Sequence, residues 1–118
     1  MTTDEKRMDP RIQSSNLISY VCRDEDNREV MQGMGRTLNV SEGGILLETY
    51  VSIGPHHVVT VTIAMEDELM EFRGRIAHSM KREDGSFASG IEFTEMDQEK
   101  RRFLGQYIIL FRGQEAME

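Results

Sequence analysis

Met34-Gly35-Arg36-Thr37-Leu38-Asn39-Val40-Ser41-Glu42-Gly43-Gly44-Ile45-Leu46-Leu47-Glu48 is the stretch on which the reading of the fold turns. Met34, Arg36, Leu38 and Val40 alternate with Gly35, Thr37 and Asn39, the period of two expected of a strand. Ser41-Glu42-Gly43-Gly44 then supplies a turn, and Ile45-Leu46-Leu47-Glu48 a second strand. Two strands about a glycine-bearing turn make a hairpin, which needs further strands to bury its apolar side.

Those strands lie on either side. Upstream, Leu17-Ile18-Ser19-Tyr20-Val21-Cys22 is rich in β-formers, and the polar run Arg23 to Glu29 after it reads as a solvated turn. Downstream of Gly54-Pro55, Val59, Val61 and Ile63 alternate with Thr60 and Thr62. Met70, Phe72, Gly74 and Ile76 do the same with Glu71, Arg73 and Arg75, across an acidic Glu66-Asp67-Glu68 turn. Asp84-Gly85 is a turn signal, and Phe87, Ser89, Ile91 and Phe93 form a sixth strand. The period then changes. Phe103, Leu104, Tyr107, Ile108 and Phe111 make one helical stripe, so a helix is predicted over about 95–112, with Thr94 as its cap and Asp97 suited to its positive end.

The fold class is therefore dominated by β-structure: a six-stranded antiparallel β-barrel whose open side a C-terminal α-helix covers. Residues 1–15 are polar, with Pro10 blocking a helix, and read as a flexible N-terminal arm; 16–112 form the folded body and 113–118 a tail.

Composition removes several classes of function. In a chain of 118 residues, a formal net charge of −7 sets the molecule's own field against binding DNA or RNA nonspecifically. The longest apolar run, Tyr107 to Phe111, is far short of a membrane span, and the opening MTTDEKR lacks a signal-peptide core, so a cytoplasmic protein without membrane insertion is expected. Cys22 is the single cysteine and reads as a small buried thiol. An enzyme would draw on His56 and His57 with Glu66, Asp67 and Glu68, but adjacent histidines on a strand point to opposite faces and no metal-ligand motif completes a site. Neither catalysis, metal nor cofactor is expected.

Two motifs remain. Arg7-Met8-Asp9-Pro10-Arg11 reads as RxxxR, and Asn39 to Gly44 as (D/N)xSxxG. Together, with the order of strands, the terminal helix and the closing Gly90-Ile91-Glu92-Phe93, they resemble the PilZ domain over nearly the whole chain. The resemblance implies a receptor for the bacterial second messenger cyclic di-GMP, acting on a downstream protein partner. A rival of another class is a degenerate PilZ adaptor that binds no nucleotide, though such domains normally lack these motifs.

The residue types suit the ligand. Cyclic di-GMP carries two phosphates and two guanines, and planar guanidinium groups fork onto phosphate oxygens or onto guanine O6 and N7. Arg7 and Arg11 meet that need on the arm, with Lys6 adding positive potential. Ser41 can donate its hydroxyl to a phosphate, and Gly44, without a Cβ, lets backbone N–H groups approach the ligand. The resemblance sets Asn39 against a guanine edge, where its carboxamide offers one acceptor fewer than an aspartate. His78, read at the end of the fifth strand, is a candidate to stack on a guanine.

Overall fold

Six strands follow in the predicted order, and local turn chemistry sets where each one ends. The computed structural model describes residues 17–117; Lys6, Arg7 and Arg11 lie outside the described residues. The strands are β1 (Leu17–Arg23), β2 (Glu29–Ser41), β3 (Gly44–Thr49), β4 (Val58–Met65), β5 (Glu68–Lys81) and β6 (Phe87–Phe93), followed by the helix α1 (Gln98–Met117).

The polar run expected as a turn is shorter than its composition suggested. Arg23 still pairs in β1 and Glu29 in β2. Between them Asp24 Oδ1 accepts from the N–H groups of Asp26 and Arg28, each at 2.9 Å, and Asn27 takes a left-handed φ of 64°. A carboxylate that satisfies two backbone donors closes the turn, so fewer residues are needed to make it. At the β5–β6 hairpin, Asp84 Oδ1 accepts from the Ser86 amide at 2.9 Å and the Ser86 hydroxyl at 2.6 Å, while Gly85 supplies φ 91°.

All neighbouring strands are antiparallel and the sheet closes on itself in the order β1-β2-β3-β6-β5-β4, with β1 pairing back onto β4. Closure leaves no unpaired edge. Ile18, Leu47, Val59, Val61, Ile63 and Phe72 fill the interior, each nearly inaccessible to water.

β2 departs from the simple alternation. Thr37 pairs with Leu47 and Asn39 with Leu46, which leaves Leu38 as the extra residue of a β-bulge. Before the bulge Gly35 and Thr37 point inward; after it Val40 does, so Met34 and Val40 lie on opposite faces although they fall in one alternating set. Met34 is half exposed and Val40 is buried. A second bulge, at Ala77 in β5, separates the Ile76–Ile91 pair from the His78–Gly90 pair.

The helix runs over Gln98–Met117, starting later and ending later than the predicted 95–112 and absorbing most of the supposed tail. Asp97 is the cap: its Oδ1 accepts from the Lys100 amide at 2.8 Å. Thr94 instead extends the sheet, its amide and hydroxyl both donating to the Arg73 carbonyl, at 2.9 and 3.3 Å. Past residue 112, Gly113 is the sole helix breaker, and one glycine costs only about 1 kcal/mol, too little to end a helix already anchored by its apolar stripe. Phe103, Leu104, Tyr107 and Phe111 are buried as the stripe required. The Phe103 ring sits 6.0 Å from Phe72 of β5, and the Tyr107 hydroxyl lies 2.8 Å from Thr37 Oγ1 of β2. β2 and β5 are diametrically opposed in the closed order, so a helix that reaches the inward residues of both lies across one mouth of the barrel.

Candidate functional site

Inward-pointing Ile45, Leu47, Ser89 and Ile91 force their neighbours Gly44, Leu46, Gly90 and Glu92 onto the outer face of β3 and β6. Register carries this face across four strands. Asn39 of β2 pairs with Leu46, Leu46 with Gly90, and Gly90 with His78 of β5. A parallel row runs Ser41, Gly44, Glu92, Arg75. Asn39 and His78 each follow a bulged residue, Leu38 and Ala77, and the bulges phase both side chains outward onto the same row.

These rows line a shallow recess of about 410 Å³, a volume within the range of small-molecule sites. Asn39, Ser41, Gly44 and His78, four of the residues singled out from the sequence, all border it. They are thus brought together from β2, β3 and β5, while Lys6, Arg7 and Arg11 lie outside the described residues.

His78 is not at a strand end as the sequence suggested. β5 continues to Lys81, because residues beyond the Ala77 bulge still pair with β6. Its imidazole lies over Gly90: a Cβ there would stand 2.5 Å from Nε2 and 2.7 Å from Cε1. The absent side chain at position 90 thus makes room for a flat ring on the barrel surface. At Gly44 the neighbour is different, since the space of a Cβ is occupied by the backbone carbonyl oxygen of Ile91. Gly44 is needed first for the close approach of β6, whatever else its bare backbone allows.

Asn39 Oδ1 accepts from the Val40 amide at 2.9 Å, so the atom facing that N–H is the oxygen and the amide NH₂ is left to point away. Ser41 Oγ accepts from the Gly43 amide at 3.3 Å, which holds the Ser41-Glu42-Gly43-Gly44 turn and leaves the hydroxyl proton available. Sequence reasoning overlooked Glu92 and Arg75. Glu92 lines the recess, and its Oε1 accepts from Arg75 Nε at 3.2 Å. The signal was the outward phase of Glu92 within Gly-Ile-Glu-Phe, but its position opposite Ser41 depends on the register of three strands.

Among the described residues lining the recess there is no lysine or arginine. An anionic ligand held here would therefore need cations from outside it.

The other reactive groups lie apart. Cys22 is fully buried, and desolvation pushes its thiol up to about 11, the reverse of an activated nucleophile. His56 and His57 sit in the turn before β4 rather than on a strand, bordering a shallow recess with Asp24, Glu25 and Asp26. The Glu66-Asp67-Glu68 cluster is at the far end of β4, about 25 Å of strand away. Among the described residues no three potential ligands are grouped to hold a metal ion, and no helix is long and apolar enough to cross a membrane.

Comparison with known proteins agrees with the architecture. The family model of the PilZ domain matches residues 5–110, nearly the whole chain and both motifs, and the chain belongs to the PilZ domain family. PilZ domains are in general cyclic di-GMP receptors and adaptors, not enzymes. Among solved structures, the crystal structure of the PilZ domain of CeSA from a cellulose-synthesizing bacterium superposes with a TM-score of 0.52 at 16% identity. It covers 86% of this chain and 95% of that one, a likeness of fold. No curated protein matches the chain.

Proposed function

We propose that the protein is a receptor for cyclic di-GMP and passes the signal on by drawing its N-terminal arm over the bound ligand, changing the surface offered to a downstream protein. The observation that carries this reading is the gathering of Asn39, Ser41, Gly44 and His78 around one outward recess in a chain of the PilZ family. Ser41 offers a hydroxyl to a phosphate, Asn39 an amide to a guanine edge, and His78 a flat face for stacking.

The missing cations are supplied by the arm. β1 runs antiparallel to β2 with Leu17 opposite Arg36, so β1 starts at the end of β2 that carries Asn39 and Ser41. Asn39 is three residues beyond Arg36, roughly 10 Å, whereas the six residues from Arg11 to Leu17 can span about 20 Å. The chain from Leu17 is therefore long enough for Arg11, and for Arg7 one further step out, to be drawn to the recess. Two guanidinium groups brought onto a dianion place positive charge beside the phosphates in a chain whose net charge, these arginines included, is −7.

Calorimetric titration with cyclic di-GMP tests the proposal. Saturable binding is expected, weakened at least ~10-fold by Arg11→Ala, because a hydrogen bond to a charged group is worth roughly 1.5–3 kcal/mol. The absence of binding by the unmodified protein would overturn the receptor reading in favour of an adaptor. Unchanged affinity in Arg11→Ala would overturn the role of the arm.

A further inference from the structure

We infer that Glu92 is a specificity-determining residue of this recess, its carboxylate accepting from the N1–H and 2-amino groups of one guanine of the bound dinucleotide. The inference rests on the receptor reading above and names the residue that lets such a site choose guanine. Glu92 is on the outer face of β6, in the same row as Ser41 and Gly44, and it lines the recess.

A carboxylate in an anion site calls for a reason. The recess is lined by no lysine or arginine among the described residues, and Glu92 is the one carboxylate on its wall. Facing phosphate, that group would oppose binding; facing the Watson–Crick edge of guanine, it meets two N–H donors with two acceptor oxygens. Asn39 cannot do the same work. A carboxamide has one acceptor oxygen against a carboxylate's two, and Asn39 Oδ1 is turned to the Val40 amide, so the group it presents is an NH₂, which suits guanine O6 and N7 or a phosphate oxygen. The ligand has two guanines, and the recess thus holds one donor-type and one acceptor-type reader.

Arg75 prepares the acceptor. Its Nε donates to Glu92 Oε1 at 3.2 Å from the neighbouring strand, fixing the carboxylate while Oε2 has no hydrogen-bond donor among the described residues. Ser41 and Glu92 are two strand spacings apart, ~10 Å, which leaves room for the phosphate of a nucleotide at one and its base at the other.

The experiment compares cyclic di-GMP with cyclic di-IMP, which lacks only the exocyclic 2-amino groups, on the full chain and on Glu92→Gln. Glutamine keeps the size and replaces one acceptor oxygen by a donor, and position 92 is exposed, so folding is preserved; a thermal melt checks this. The unmodified protein is expected to prefer cyclic di-GMP by ~10-fold, the worth of one hydrogen bond to a charged group. Glu92→Gln should lose about that factor for cyclic di-GMP, lose less for cyclic di-IMP, and so erase most of the preference. If Glu92 only repels phosphate, the variant will instead bind both ligands more tightly and by the same factor. That result, or an unchanged preference, overturns the role of Glu92 and leaves the receptor reading standing. Failure of the unmodified protein to bind cyclic di-GMP overturns the receptor reading, and the role of Glu92 falls with it.

Discussion

Gly44 and Gly90 border the same recess, yet alanine should act on them in opposite ways. At Gly44 the new methyl meets the Ile91 carbonyl oxygen, an atom fixed in the β3–β6 ladder. It cannot rotate aside, so the ladder must open; overpacking of this kind costs 1–3 kcal/mol, and a backbone obstacle belongs at the upper end, about 3. Alanine also restricts the unfolded chain, which returns roughly 0.5–1 kcal/mol. The net loss is about 2 kcal/mol, or a fall in Tm of about 8 °C for a domain of this size. At Gly90 the obstacles are Nε2, Cε1 and Cδ2 of the exposed His78 ring, at 2.5, 2.7 and 3.0 Å. A χ rotation clears them for about 1 kcal/mol, which the same unfolded-state gain nearly cancels. Gly90→Ala should therefore melt within about 3 °C of the unmodified protein. Its cost appears in binding, because the imidazole is displaced and a methyl takes its place on the recess floor. A lost base-stacking contact is worth 1–3 kcal/mol, so cyclic di-GMP affinity should fall about 10-fold. Differential scanning fluorimetry reads the first effect and calorimetry the second. A Gly90→Ala protein destabilised as much as Gly44→Ala, or a Gly44→Ala protein melting like the unmodified one, would refute the reasoning.

The helix is tied to the barrel by the buried pair of Thr37 and Tyr107, so Tyr107→Phe should cost about 1–2 kcal/mol in urea denaturation by leaving the Thr37 hydroxyl unpaired. Thr37→Val should cost a similar amount and the double variant hardly more than either; strictly additive losses would show that the hydroxyls do not interact. For Cys22, folding raises the thiol from an ordinary value of 9.0 to about 11, so the native state holds its proton more tightly than the unfolded chain. The corresponding stability, roughly 3 kcal/mol, is complete below pH 9 and is lost as the pH rises from 9 to 11. Cys22→Ala should flatten that part of the pH–stability curve, and an identical alkaline slope in the variant would contradict the assignment.

How much could be read beforehand differs from element to element. The hairpin around Ser41 to Gly44, the alternation in β4, β5 and β6 and the apolar stripe of α1 were legible, because side-chain periodicity records which face is buried. The motif Asn39, Ser41, Gly44 was legible for a related reason: turn residues carry their geometry locally. Helix ends were misjudged where two residues competed for the capping role, since Thr94 was claimed by the Arg73 carbonyl and Asp97 was left to cap.

The sequence alone determined the kind of protein: six strands, one terminal helix and a paired motif, all expressed within short stretches of chain. Tertiary structure decided which residues share the recess. The bulges at Leu38 and Ala77 reverse side-chain phase by one residue, and only the pairing of each strand with its neighbour shows where the extra residue falls. That pairing aligns Asn39, Leu46, Gly90 and His78 in one row and sets Glu92 across from Ser41, although these residues are up to half the chain apart. Register is a property of strands in contact, and periodicity within any one strand does not contain it.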